Sequence, residues 1–256
     1  MATVVDLDMS ARGRVKFEPG TRRVRVYLGG ALVADTLAPV YVWEIPYYPA
    51  YYIPRSDVKA ELVASGGTDH SPSRGDATLY TVKAGGKEAV DAAKVYADSP
   101  IEELRDLVRF DFAAMDAWFE EDEEIYVHPR DPYKRVDILS SSRHVRVEID
   151  GVTVAESTNA RMLFETSLPT RYYLPKTAVR QDLLEPSDTR TGCPYKGEAS
   201  YYSVRVGDAL HEDVVWYYDT PLPESQKVTG LMAFYNEKVD IFVDGVEQPR
   251  PSTHFA

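Results

Sequence analysis

Cysteine is nearly absent. The chain of 256 residues carries one, Cys193, so no disulfide can form within it. Beside five scattered histidines, that single thiol leaves no set of four Cys or His ligands for a structural zinc. No apolar run approaches the ~18 residues of a membrane-spanning helix. The start, Met1-Ala-Thr-Val-Val-Asp-Leu-Asp, has no basic region ahead of an apolar stretch, and no secretory signal is read there. Basic clusters are missing too. With a net charge of −12 and a pI near 4.9, the surface repels phosphate backbones, which argues against nucleic acid as a partner. There is neither a Gly-x-x-x-x-Gly-Lys-Ser/Thr phosphate loop nor a paired-aspartate metal motif. These absences lead us to expect a cytoplasmic monomer or homodimer without metal, cofactor, membrane or nucleic acid, and leave a small molecule as the possible partner.

What the chain does have is a repeat and an excess of tyrosine. Residues 24–58 and 145–179 align without a gap at an offset of 121, with eleven identities in thirty-five positions. Average residue usage gives about two by chance. A second block follows at an offset of 122: Ser71-Pro-Ser-Arg-Gly-Asp-Ala-Thr-Leu-Tyr-Thr-Val82 against Cys193-Pro-Tyr-Lys-Gly-Glu-Ala-Ser-Tyr-Tyr-Ser-Val204. Two blocks at nearly one offset mean two tandem copies of a domain, read as 1–119 and 143–256 with an ordered connector at 120–142. The 18 tyrosines include five adjacent pairs. On a strand, neighbours point to opposite faces, so each pair puts one ring in the core and one on the other face, where such rings could line an aromatic groove.

Alternation marks strands at Val24–Leu28, Ala31–Ala34 and Val40–Glu44, and in the second copy at Val145–Ile149, Val152–Ala155 and Arg161–Glu165. Gly29-Gly30 and Asp150-Gly151 read as tight hairpin turns. Further strands are expected at Ala77–Val82, Ala92–Ala97, Phe110–Ala114, Ala199–Val204, Val214–Tyr218, Leu231–Tyr235 and Val239–Val243. Residues 64–76, rich in Ser, Gly, Thr and Asp, read as loop. Ser99-Pro-Ile-Glu102 has the form of a helix start, so a short helix is expected to about Val108.

Several of these residues resemble a known family. Gly151, Ala155-Glu156, Glu165, Tyr172-Tyr173-Leu-Pro175, Cys193-Pro-Tyr-Lys-Gly197, Tyr201-Tyr202, Trp216-Tyr217-Tyr218, Pro221 and Ala233-Phe234 are similar to the bacterial domain-of-unknown-function family 427. The Cys-Pro-aromatic-Lys-Gly element is its most specific motif. Met115–Asp122 with His128-Pro-Arg-Asp-Pro-Tyr133 resembles the two-domain form found in high-GC actinobacteria. The resemblance implies a mainly β fold of the tent-like type shared with Mss4-like proteins. One label of the family suggests nucleotidyl transfer, but no residue here supports it.

The chemistry concentrates in the second copy. In Cys193-Pro-Tyr-Lys-Gly197 a turn would bring the Lys196 ammonium back toward the thiol, and a nearby cation stabilises a thiolate. The first copy keeps the cation as Arg74 but has Ser71 in place of the cysteine. Glu165, like Glu44 in the first copy, is a carboxylate in a mostly apolar strand, where it either forms an ion pair with an arginine such as Arg146 (Arg25 in the first copy) or serves as an acid or base. Three functions are carried forward. The first is binding of a small, anionic or aromatic molecule in a groove of the second copy. This groove would be formed by Arg171, Tyr173, Tyr195, Tyr201, Trp216 and Tyr218, with His128 and Arg130 of the connector as further ligand contacts. The second is an enzyme using Cys193, Lys196 and Glu165 as catalytic groups. The third is a structural or interaction module without a ligand.

Overall fold

The computed structural model describes residues 3–6 and 14–253. The chain divides into two units, Met1–Asp131 and Pro132–Ala256. Both are mainly β, and each is built from one large and one small antiparallel sheet. Local chemistry sets the small sheets. In Val24–Leu28 and Val145–Ile149 every second residue is buried, which is the two-residue period of a half-covered strand. Each strand turns back through a two-residue loop with both φ angles positive, Gly29 and Gly30 in one and Asp150 and Gly151 in the other. That is the turn geometry matching the twist of a hairpin.

The large sheets repeat one order. In the first unit it runs Thr3–Asp6, Arg14–Pro19, Val40–Trp43, Ala50–Pro54, Leu107–Phe110, Lys87–Val95, Gly75–Ala84, Glu61–Ser71. In the second it runs Val136–Ser141, Ala160–Glu165, Arg171–Pro175, Leu231–Phe234, Ala209–Tyr217, Gly197–Val206, Leu184–Cys193. After the first unit's extra edge strand the two orders correspond strand for strand. Isolated bridges Ala34 to Val58 and Ala155 to Val179 recur at the same offset.

Each unit has two apolar clusters, one on either face of its large sheet. In the second unit Val145, Val147, Ile241 and Val243 of the small sheet pack on Met162, Tyr172, Leu174 and Phe234 of the large one. The opposite face carries Leu163, Tyr173, Ala199, Tyr201, Trp216, Tyr218 and Ala233 with Val228. Tyr172 and Tyr173 therefore do point to opposite faces, but both faces are covered; Tyr51 and Tyr52 do the same in the first unit. Paired tyrosines here build two cores at once.

The sequence reading differs from the structure in several places. The strand expected at Phe110–Ala114 is Leu107–Phe110, since Asp111–Ala114 turns the chain out of the sheet. Residues 64–76 are largely strand, because Glu61–Ser71 pairs with Gly75–Ala84, and Leu184–Cys193 is its unexpected counterpart beside Gly197–Val206. Both are edge strands with mostly exposed side chains, so no apolar alternation marks them. The short helix at 99–108 is one 3-10 turn, Glu102–Leu104. Leu107–Phe110 leaves it at once to pair with Ala50–Pro54 and Lys87–Val95. Within 120–142, Glu123–Ile125 pairs in the first unit's small sheet and Val136–Ser141 in the second unit's large sheet.

Candidate functional site

In the second unit, Cys193 ends one edge strand and Gly197 begins the next. The turn between them closes with the Lys196 N–H donating to the Cys193 carbonyl at 3.3 Å. It carries the Lys196 side chain inward, where the ammonium donates to Glu165 Oε2 at 2.5 Å and lies within hydrogen-bonding reach of the Cys193 thiol. Lys196 is buried. Burial alone pulls an ammonium's pKa down, but the thiol and carboxylate outweigh it, and the Lys196 pKa ends above the ordinary lysine value. The group is therefore a fixed cation at neutral pH and has no free lone pair for attack. Burial holds Tyr173 far above the usual phenol range, against the opposing pull of the Trp216 Nε1–H that its hydroxyl accepts at 2.9 Å. Tyr218 is raised as well, chiefly by burial and then by Tyr173 and Cys193.

Cys193, Lys196, Glu165, Tyr173, Trp216 and Tyr218 thus come together. Tyr201 joins through hydroxyl contacts to Thr191 at 2.7 Å and Tyr235 at 3.2 Å. None of Tyr173, Tyr195, Tyr201, Trp216 and Tyr218 is more than 6% exposed. Tyr173, Tyr201, Trp216 and Tyr218 pack into one core cluster, and Tyr195 is buried as well. Arg171 is buried too. Its guanidinium grips Glu237 with two bonds of 2.6 and 2.7 Å, touches Asn236, and lies 5.5 Å from the Trp216 ring and 5.9 Å from the Tyr235 ring.

The first unit has a similar charged group. Glu44 Oε1 accepts the Tyr52 hydroxyl at 2.7 Å and faces Arg74 at 3.8 Å, and the Arg74 guanidinium lies 5.4 Å from the Tyr96 ring. A second arginine, Arg109, reaches Glu44 Oε2 at 3.3 Å. Beside this group opens a cleft of about 380 Å³, lined among others by Glu44, Tyr48, Ala50, Arg109, Asp111, Phe112, Trp118 and His128. Tyr48 stacks on the His128 ring at 3.8 Å, and Phe112 stacks on Trp118 at 4.9 Å. Arg130 lines a separate hollow of about 270 Å³ with Arg22, Glu120, Glu121, Glu123 and Ile125. His128 and Arg130 therefore belong to the first unit, whereas Cys193 belongs to the second. Among the described residues, no three His, Cys, Asp or Glu side chains gather in a metal-binding arrangement, and no helix is long and apolar enough to cross a membrane.

Both halves match the family described as Domain of unknown function (DUF427), over residues 16–121 and 137–245. The chain belongs to that family, in two tandem copies. No curated protein matches the sequence.

Strand register shows which residues of the two DUF427 units correspond. Thr78 pairs with Val95 and Ser200 with Tyr217, so Tyr96 corresponds to Tyr218. This continues the offset of 122 of the second aligned block. Both units therefore hold a carboxylate, a cation and two tyrosines: Glu44, Arg74, Tyr52 and Tyr96, or Glu165, Lys196, Tyr173 and Tyr218. Further along, Arg109 pairs with Tyr52 where Ala233 pairs with Tyr173. On that register Arg109 corresponds to Ala233, Asp111 to Tyr235 and Ala113 to Glu237, while Ala50 corresponds to Arg171. The cleft of the first DUF427 unit thus opens where the second places its buried Arg171–Glu237 pair and the partly buried Tyr235. Arg109, Tyr48, Phe112 and Trp118 went unread as site residues. The only signal for Arg109 was a charged residue between Val108 and Phe110.

Proposed function

We propose that this tandem DUF427 chain is a small-molecule-binding protein whose ligand site is the cleft of the first unit. One observation carries the reading: two alanines, Ala50 and Ala113, stand where the second unit packs Arg171 against Glu237, and the space so freed is about 380 Å³. That volume lies within the ~300–1,000 Å³ of small-ligand pockets, and aromatic walls with a few polar groups are the usual lining. The acidic composition and single cysteine support a cytoplasmic protein without nucleic acid as partner. The pairing of a large with a small antiparallel sheet is compatible with the tent-like, Mss4-like type.

Grafting the second unit's pair into the first tests this. Ala50→Arg with Ala113→Glu is expected to fill the cleft. It should abolish the thermal stabilisation that a screened ligand gives the wild type, while Cys193→Ser leaves that stabilisation intact. Ligand stabilisation that survives the graft would overturn the assignment.

A second reading, an enzyme centred on Cys193, is favoured by the contact of its thiol with Lys196. It requires Cys193 to react with a thiol probe faster than a free thiol at neutral pH, and Lys196→Met to remove the excess rate.

A further inference from the structure

We infer that the molecule held in the first unit's cleft is a flat ring bearing an acidic oxygen group, a carboxylate or phosphate, which Arg109 receives. This rests on the cleft being the ligand site, and it follows from a charge count and a missing bond. In the second unit the buried group is balanced, one carboxylate, Glu165, against one ammonium, Lys196. The first unit sets one carboxylate, Glu44, against two guanidiniums, Arg74 and Arg109. The extra one, Arg109, is in the cleft lining. Its counterpart Ala233 has no charge.

Arg109 is also incompletely bonded. Glu44 Oε1 is taken by Tyr52, and Arg109 reaches Oε2 only at 3.3 Å. Its Nε is sealed without a hydrogen-bond partner. The side chain, 22% exposed, bonds only Glu44 among the described residues, so the remaining N–H groups are left for an acceptor from the cleft. A buried donor left unmatched is costly, and a guanidinium fork is best completed by a two-oxygen anion. The other charged or titratable groups of the lining do not supply that acceptor. Asp111 is exposed, and its Oδ1 accepts the Ala113 N–H at 3.2 Å. His128 directs Nδ1 at the Pro129 carbonyl, 2.7 Å away.

The ring follows from the walls. The Tyr48–His128 stack and the Phe112–Trp118 stack, 12° and 7° from parallel, present flat surfaces, and flat aromatic ligands gain from offset or edge contacts with such rings. The second unit fills its equivalent place with a flat group of its own, the Arg171 guanidinium, against Trp216 and Tyr235.

Calorimetry with the full chain tests this, using benzoate, phenyl phosphate, benzamide, benzamidine and acetate as probes. Benzoate or phenyl phosphate should bind at least tenfold more tightly than benzamide, benzamidine or acetate, and the better of the two names the oxyanion. Arg109→Met should erase that preference while leaving benzamide unchanged. If Arg109→Met fails to fold, the wild-type ranking decides alone. Benzamide or benzamidine matching the anions would overturn the acidic group and leave the cleft as the site. A ranking in which acetate equals benzoate would overturn the ring. If no probe binds, or all bind equally to the Ala50→Arg, Ala113→Glu chain, the cleft reading falls and takes this inference with it.

Discussion

Lys196 and Glu165 form a buried ion pair, and either partner alone would be an uncompensated charge. Glu165→Gln or Lys196→Met should each destabilise the second unit by about 3–5 kcal/mol in urea unfolding. The pH dependence separates two buried groups. Burial would lower the Lys196 pKa, but Cys193 and Glu165 raise it above its unfolded value. Its contribution is then complete below the ordinary lysine range and disappears as pH rises through the folded value. Stability measured across alkaline pH should show that loss in the wild type and lack it in Lys196→Met. Glu237 has the opposite sign. Burial raises its carboxyl, yet the hydrogen bonds from Arg171 and Thr253 bring it below the usual carboxylate range. Its contribution is complete above the unfolded value and disappears as pH falls through the folded one, so Glu237→Gln should flatten the acid limb of the stability curve.

Among the elements, the hairpins are where the copies can be told apart by a single methyl. Gly85 turns the ribbon of Gly75–Ala84 and Lys87–Val95, and a Cβ there would stand 2.2 Å from the Gly29 carbonyl oxygen. Its counterpart at the offset of 122, Gly207, has open space around it. Both have positive φ, so Gly207→Ala should cost about 1–2 kcal/mol of backbone strain. Gly85→Ala should cost more, because backbone must move. Denaturant melts of the two variants check the order. Elements with one covered face were legible from alternation, as at Val24–Leu28 and Val145–Ile149. Glu61–Ser71 and Leu184–Cys193 were not, since an edge strand exposed on both faces writes no period into its sequence. The capped segment after Ser99 held a true start signal, but sheet pairing by Leu107–Phe110 claimed the residues a longer helix needed.

At the scale of the whole molecule, the duplication was legible because gap-free blocks at 121 and 122 preserve register. The site was only half legible. The approach of Lys196 to Cys193 could be anticipated from the Cys-Pro-Tyr-Lys-Gly turn, whereas Lys196 rather than Arg146 as the partner of Glu165, and the cleft, could not. Its makers, Arg109 and Ala113, lie where insertions have shifted the correspondence to 124, beyond the aligned blocks, and Ala50 is conspicuous only once Arg171 is seen buried. If one unit is open and the other filled, calorimetric titration should give one probe molecule per chain.

The filling is chiefly the work of the Arg171–Glu237 pair, whose counterparts are both alanine, with Tyr235 beside it where the first unit has Asp111. Those exchanges separate a place that one unit fills with its own side chains from one that the other leaves open. A doubled gene can keep both solutions, so that one half is sealed for sturdiness while its sister is spared that duty.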